Sequence, residues 1–412
     1  MKSQLFIDAM IPVDDATQIV RQQTTRLPQE RIPLAESMGR VLAEDIIADC
    51  DLPPFDRSQM DGYAVLTSDV QTTPVKLKIV GESAAGRGWH KTMKAGESVR
   101  IMTGAPVPEG ADSVQQVELT RELDGSNQVE ILEPVSKGRS IVTRGSEIKA
   151  GQTVLKAGEP INAARMSVLA SFGYAEVSVG RQPRVAVLAT GSELVPVDQK
   201  PGQDQIRDSN NFTIAAYAAL AGAEVERLPL AGDDTNLLKQ QIAEAADRSD
   251  VVITSGGVSV GVYDFTKPAL RELGAEFFFE RVALRPGKPT VFARLPNGAL
   301  FFGLPGNPVS VSVTFNLFVR VALLTMQGAM DPLLLQATAV LAHNVKGAIA
   351  RESYLPAQLT TTDGGILTAS PLKWGGSSDF VSFVRATSLI IVPQDAGVVE
   401  AGSKVRVLHL PV

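Results

Sequence analysis

A pair of glycines with a carboxylate close behind is the densest chemical signal in the chain. Ser255, Gly256 and Gly257 open the segment SGGVSVGVYDFTK, which follows the apolar run DVVIT and carries Asp264 just ahead of a helix signal at Thr266. In an open α/β sheet a ligand lies beyond the carboxyl ends of the strands, and glycines there let backbone N–H groups close on an anion. The segment therefore suits a phosphate or an oxyanion. A lone glycine pair more often only turns the chain, so its neighbours decide. TGSELV places Thr190, Ser192 and Glu193 at a second strand end, Asp208 stands at a third, and Asp233 and Asp234 stand at a fourth. Carboxylates gathered on one sheet edge repel unless a hard cation or a cationic partner sits among them, and magnesium bound to phosphate meets that need. Taken singly, each of these acids is more often a surface or capping residue; Asp264 is the leading candidate.

Cations come next along the chain. RVALRPGKPT holds Arg281, Arg285 and Lys288 in a turn stiffened by Pro286, Gly287 and Pro289. Guanidinium and ammonium groups gain most when they meet phosphate or an oxyanion in fixed geometry, while the bland alternative is a solvated hairpin. GLPGNPVS follows, where Gly306 and Pro308 shape a turn and Asn307 is placed to cap the next helix. Earlier, FDRSQMDGYAV and RIMTGAPVPEGAD offer Asp61 and Thr103, which face a ligand or merely satisfy turn backbone, with nothing to choose between the two. WGGSSDF sets Ser377 and Ser378 beside glycines, and Arg351 is the nearest upstream cation.

Other chemistries lack their residues. His90, His343 and His409 are scattered and Cys50 is the single cysteine, which disfavours a zinc site and a Cys-His nucleophile. No GxxxxGK[ST] loop and no GxGxxG after a strand occurs, and TGSELV contains no GxSxG elbow.

The elements that must position these residues follow from periodicity. From Asp14 to Cys50 the spacing of Val41, Leu42, Ile46 and Ile47 predicts helix; Leu66 to about Gly145 reads as short strands divided by Gly and Pro. Helical packing returns between Glu147 and Gly173, where Asn162 would cap a helix with Met166, Leu169 and Ala170 on its apolar face. From Arg184 strands alternate with helices (RVAVLAT, NNFTIAAYAALAGA, EVERLPLA, NLLKQQIAEAADRS, DVVIT, TKPALRELG, PTVFARL), which predicts a parallel, doubly wound sheet. Beyond about Leu333 strand-like runs predict a small barrel or sandwich. The expected divisions are 1–50 and 147–180 for a helical linker domain in two segments, 51–146 for an inserted β-rich domain, 181–330 for the α/β domain and 331–412 for a C-terminal β-barrel.

With 412 residues, 44% hydrophobic and 20% charged, the chain has material for several cores. Its net charge of -6 supplies no positive field for nucleic acid or an acidic membrane. One cysteine fits a reducing cytoplasm. The first residues, MKSQLFIDAMIPVDD, lack the uninterrupted apolar stretch of a signal peptide, so the mature protein is expected to begin near Met1; PVSVSVTFNLFVRVALLTM carries polar residues and an arginine that suit a core helix better than a bilayer span.

Seven motifs in order, LPPFDRSQMDGYAV, RIMTGAPVPEGAD, RGSEIKAG, TGSELV, SGGVSVGVYDFTK, RPGKP and GLPGNPVS, make the chain resemble nearly end to end the molybdopterin molybdenumtransferases, which include the E domain of gephyrin and its plant and bacterial relatives. The resemblance implies four domains, a cytoplasmic homodimer with its cleft between subunits, and insertion of molybdate into adenylylated molybdopterin with magnesium-dependent release of AMP. It implies catalytic roles for Asp61, Thr103, Glu193, Asp233 and Asp264, with Asp264 and Glu193 at the magnesium. Substrate would meet Asp208, Ser255, Gly256, Gly257, Arg281, Arg285, Lys288, Pro305, Asn307 and Pro308, and molybdate would meet Arg285, Lys288, Arg351 and Ser378. Partners would extend to the molybdopterin adenylyltransferase and to apo-molybdoenzymes. Three departures stand out: Glu147 where the family usually has Asp, Arg281 and Arg285 where lysines are frequent, and SFVRATSLI in place of the usual Ala-Asn. An adenylyltransferase, which the α/β module also resembles, and a gephyrin-like scaffold are the alternatives; the inserted domain and barrel argue against the first, and the lack of a fused second module against the second.

Overall fold

After Arg184 the run VAVLA has no polar residue, and a strand apolar on both faces belongs in the middle of a covered sheet. In the computed structural model, which describes residues 10–232, 234–258 and 265–411, Arg184–Ala189 is the second strand of a six-stranded sheet. The order is Glu224–Arg227, Arg184–Ala189, Val251–Ser255, Leu300–Leu304, Val291–Arg294 and Glu276–Phe279. Side chains alternate across the strands. Val185 and Val187 join Ile253, Phe302 and Leu304 on one face, under Ile214, Ala218 and the helical stretch from Pro308 to Met326. Ala186 and Leu188 join Val252 and Phe301 on the other, under Leu238 and Ile242 of Thr235–Ala246 and Leu270 of Thr266–Glu272.

The sheet departs from the all-parallel expectation at one strand. Val291–Arg294 runs antiparallel to Leu300–Leu304. Only a tight turn joins them, with Leu295 N–H donating to the Ala299 carbonyl at 2.9 Å and Gly298 at φ 93°; a parallel neighbour would need a crossover of roughly a dozen residues.

The helical stretch 308–326 is long and apolar enough to cross a membrane, yet 83% of its apolar window is buried within the α/β core. After it come five strands that close on themselves. Glu352–Thr361 pairs with Leu367–Pro371 and Ser388–Val392, Lys404–His409 joins the latter to Gln336–Leu341, and Gln336–Leu341 completes the circle on Leu367–Pro371. Between the sandwich and barrel expected from sequence, the structure is a barrel. The short strand Leu284–Arg285, from the cation-rich loop, adds in parallel to the start of Glu352–Thr361. In the same unit, Val13–Gln23 packs Val13, Ala16 and Val20 into the α/β core, and Gln29–Pro33 pairs with Glu176–Gly180.

The second unit comprises residues 45–156 and 164–175. Its six-stranded sheet runs Ser113–Gln116, Gly62–Val65, Glu97–Ile101, Val75–Ser83, Gln128–Ile131, Thr120–Leu123. Alternation again makes two cores, with Tyr63 and Val65 on one side and Ala64, Val99 and Ile101 on the other.

The helix expected over Val41 to Ile47 is not there. Val41 and Leu42 form β-bridges to Pro160 and Val179, and Ile46–Ile47 pairs with Thr153–Leu155. Four branched side chains mimic helical spacing, but partners more than a hundred residues away satisfy their backbone as β structure. The helix after Asn162 is Ala163–Ser171; it buries Leu169, half-buries Met166 and leaves Ala170 exposed, correcting the expected apolar face.

Candidate functional site

Three strands of the α/β sheet end side by side, and their backbones lock together beyond the ends. Thr190 N–H donates to the Ser255 carbonyl at 3.0 Å, and Gly256 N–H to the Leu304 carbonyl at 3.1 Å. Gly256 stands at φ 90°, and a Cβ there would lie 2.5 Å from the Thr190 carbonyl oxygen, so no other residue type fits the turn.

Around this knot the first unit opens a cleft of three adjoining lobes, all lined in part by Asn307. The first, of 620 Å³, is bounded by Thr190, Ser192, Glu193, Gly256, Gly257, Pro305 and Asn307. The second, of 740 Å³, shares Glu193 and adds Asp208, Asn210, Ser255, Pro308, Ser378 and Phe380. The third, of 380 Å³, gathers Arg285, Lys288 and Arg351 with Ser310, Trp374 and Ser377.

Local chemistry sets each side chain. Gly191 leaves room for the Glu193 carboxylate: a Cβ there would sit 2.4 Å from Oε2. Asp208, 5% exposed, accepts from Asn211 N–H at 3.0 Å. Burial pushes its carboxyl above the ordinary aspartate value, against the hydrogen bonds from Asn211. Asn210 ties two loops together, its Nδ2 donating to Ser255 Oγ at 2.8 Å and to the Gly306 carbonyl at 2.6 Å.

Some sequence expectations fall elsewhere. Asn307 occupies the N-cap position, but its side chain makes no capping bond; Nδ2 donates to Ser377 Oγ at 2.8 Å. Ser378 lines the second lobe, while the hydroxyl beside the three cations is that of Ser377. Arg281 lines none of the three lobes; its carbonyl accepts from Ile11 N–H at 3.3 Å. Asp234 is a helix cap, accepting from Asn236 and Leu237 N–H at 2.8 and 3.1 Å. Asp233 and Asp264 lie outside the described residues. Among the described residues no three His, Cys, Asp or Glu side chains gather as a metal cluster.

Sequence reasoning passed over Ser310, Trp374, Asn210 and Phe380. Ser310 was legible as a hydroxyl in the first helical turn after Pro308; the others carry no local signal, because their place depends on which loops meet.

In the second unit, Asp61 and Thr103 come together. Asp61 Oδ1 accepts from both the Thr103 N–H and its Oγ1 at 2.7 Å, which holds the Asp61 carboxyl below the usual range. Glu147 pairs with Arg57 at 3.2 Å, and Arg144 donates from Nε to Asp51 at 2.7 Å and from its backbone to Asp56 at 2.7 Å.

Comparison with known proteins agrees with this architecture. Residues 11–173 match the MoeA N-terminal region (domain I and II), residues 186–325 a probable molybdopterin binding domain, and residues 338–410 the MoeA C-terminal region (domain IV). The chain is 37% identical over 404 residues to a molybdopterin molybdenumtransferase of Staphylococcus aureus, covering 97% of this chain and 95% of that protein. It is 36% identical to that of Haemophilus influenzae, covering 97% and 98%. A crystal structure of a molybdopterin biosynthesis MoeA protein from Pyrococcus horikoshii OT3 superposes with a TM-score of 0.83 at 26% identity, covering 98% of this chain and 100% of the other. With near end-to-end identity above 30% and all three regions matched in order, the chain belongs to the molybdopterin molybdenumtransferase family, transferases of molybdenum cofactor biosynthesis.

Proposed function

We propose that the three-lobed cleft is where this transferase inserts molybdenum, taking adenylylated molybdopterin and molybdate and releasing AMP. The observation that carries this reading is the convergence of Arg285, Lys288 and Arg351 on one lobe of 380 Å³ adjoining the glycine turn. Molybdate is a compact dianion, and three cations with the Ser310 and Ser377 hydroxyls supply the charge and donors such an oxyanion needs. The nucleotide-linked pterin would occupy the two larger lobes, with its phosphates against Gly256 and Gly257 and polar edges of the ligand against Asp208. The adjoining lobes then bring the dithiolene to the metal oxyanion without either leaving the cleft, which is catalysis by proximity.

Magnesium fits the donors at hand. The Glu193 carboxylate, with hydroxyls from Thr190 and Ser192 along the same wall, offers hard oxygen ligands where the phosphates would lie, and Asp264 is assigned the second carboxylate. When bound, the ion neutralises charge that develops as the anhydride to AMP breaks. The residues themselves orient the two substrates and hold the oxyanion. Asp61 and Thr103 are assigned to the same reaction through the family resemblance, which also supports a cytoplasmic homodimer.

The test is reconstitution. Purified protein with adenylylated molybdopterin, magnesium and molybdate is expected to yield AMP together with cofactor that activates an apo-molybdoenzyme. AMP without active cofactor, or neither product, would refute it.

A further inference from the structure

Arg351 lines the lobe and makes no side-chain hydrogen bond or ion pair among the described residues, so what the fold sets, through the backbone, is the Cα–Cβ direction from which its guanidinium reaches the lobe. On the C-terminal side that backbone is fixed by the barrel: Glu352 N–H donates to the Ala283 carbonyl at 2.9 Å and Glu352 is in register with Leu284. The N-terminal side is a tight turn, residues 348–351, closed by an antiparallel bridge between Ala348 and Arg351. Ala348 at the start of the turn is buried, and its N–H donates to Ser353 Oγ at 3.2 Å, but apolar packing does not hold the tip, where Ile349 is 87% exposed. Ala350 stands at φ 56°, in the left-handed region where a Cβ crowds the backbone. A second loop meets the turn there. Asp395 Oδ1 accepts from Ala350 N–H at 2.9 Å, and Asp395 N–H donates back to the Ala348 carbonyl at 3.2 Å. Asp395 is itself left-handed at φ 58°, a conformation that Asp and Asn tolerate better than most residues.

We propose that Asp395 is a positioning residue for Arg351: its carboxylate and N–H clasp the 348–351 turn and thereby aim the guanidinium into the cation-rich lobe. This role rests on that lobe being the molybdate site. Asp395 does not itself line the lobe. Its loss is therefore expected to change how much molybdate is needed, leaving the rate at saturation intact. A merely structural Asp395 would lower the unfolding temperature and leave the molybdate response alone.

The experiment uses the full chain and its Asp395→Ala, Asp395→Asn and Arg351→Ala variants. Four quantities are read: the molybdate concentration for half-maximal AMP release, the rate at saturating molybdate, retention of molybdate alone in equilibrium dialysis, and the unfolding midpoint. Asp395→Ala is expected to raise the half-saturating concentration by about tenfold, to weaken retention by a similar factor, and to leave the saturated rate within about twofold. Asp395→Asn should restore both molybdate readings, because an amide oxygen still accepts from Ala350 and Asn keeps the left-handed turn. If Asp395→Ala fails to fold, Asp395→Gly, which adopts the turn freely and lacks only the acceptor, must show the same shift. Wild-type molybdate readings in the Asp395 variants, with Arg351→Ala clearly shifted, would overturn the clasp alone. Wild-type readings in Arg351→Ala would overturn the molybdate lobe, and the clasp with it.

Discussion

Arg285 is the register partner of Ser353: the strand Leu284–Arg285 leaves the α/β domain and lies parallel to the first residues of the barrel strand Glu352–Thr361. This pairing brings Arg285 and Arg351, which are far apart in sequence, to one lobe, where Lys288 follows from the rigid turn between Pro286 and Pro289. The cation-rich lobe is thus built by an added strand, and its geometry is as firm as the hydrogen bonds of that strand.

Lys288→Ala and Arg351→Ala are each expected to raise the molybdate requirement by tenfold or more while leaving pterin binding largely intact. A charged hydrogen bond to an oxyanion contributes roughly 1.5 to 3 kcal/mol, which is about that factor. Molybdate titrations at fixed adenylylated pterin check it, and unchanged curves for both variants would remove these residues from the pocket.

Gly256→Ala is expected to damage the cleft directly. The added Cβ would meet the Thr190 carbonyl oxygen at 2.5 Å with φ held at 90°, so the turn must shift. The cost is roughly 1 to 3 kcal/mol of local strain. Unfolding in urea should show the loss and AMP release should fall more than tenfold; a variant with wild-type stability and rate would mean that the turn is not built as described.

Asp208→Asn should be more stable than the wild type near neutral pH and less active. Burial raises the folded-state carboxyl above its ordinary value, so the protonated form is the one the fold prefers. That preference is fully present below the unfolded value, about 3.9, and is lost as pH rises through the folded value. The amide removes the ionisation, and its oxygen can still accept from Asn211. Thermal unfolding at two pH values is the measurement: the variant's advantage at pH 7 should close as the acid range is entered, and a constant difference would contradict the assigned cause.

Asp264→Asn is expected to slow nucleotide cleavage by roughly 10² if the carboxylate holds the magnesium. Glu193→Gln, whose side chain lines both large lobes, should act in the same direction. Preloaded protein is mixed with molybdate and magnesium and AMP release is timed, with circular dichroism to confirm the fold. Wild-type rates in both variants would move the metal away from this wall.

Much of the molecule was legible one residue at a time. Unbroken apolar runs such as VAVLA and VVIT have no other stable place than a covered sheet, and a glycine pair at a strand end leaves room that only a turn or an anion fills. Seven ordered motifs carried the family and the main candidates for the site.

Tertiary structure decided what depends on partners distant in sequence. Val41, Leu42, Ile46 and Ile47 have helical spacing yet became β structure, because Gly158, Glu159 and Gly180 hydrogen-bond the backbone of Val41 and Leu42, and Thr153–Leu155 pairs with Ile46–Ile47. Val291–Arg294 reversed direction because its connection to Leu300–Leu304 is too short to cross over. Asn307 reads as a helix cap, but a neighbouring loop offers the Ser377 hydroxyl, and the side chain goes there. Arg281 and Arg285 look equivalent on paper, and the strand that ends at Arg285 places only the latter in the lining of the cation-rich lobe. Local sequence fixes what a segment can do alone; which groups face one another is set by register and packing between segments, and those terms have no local sequence signature.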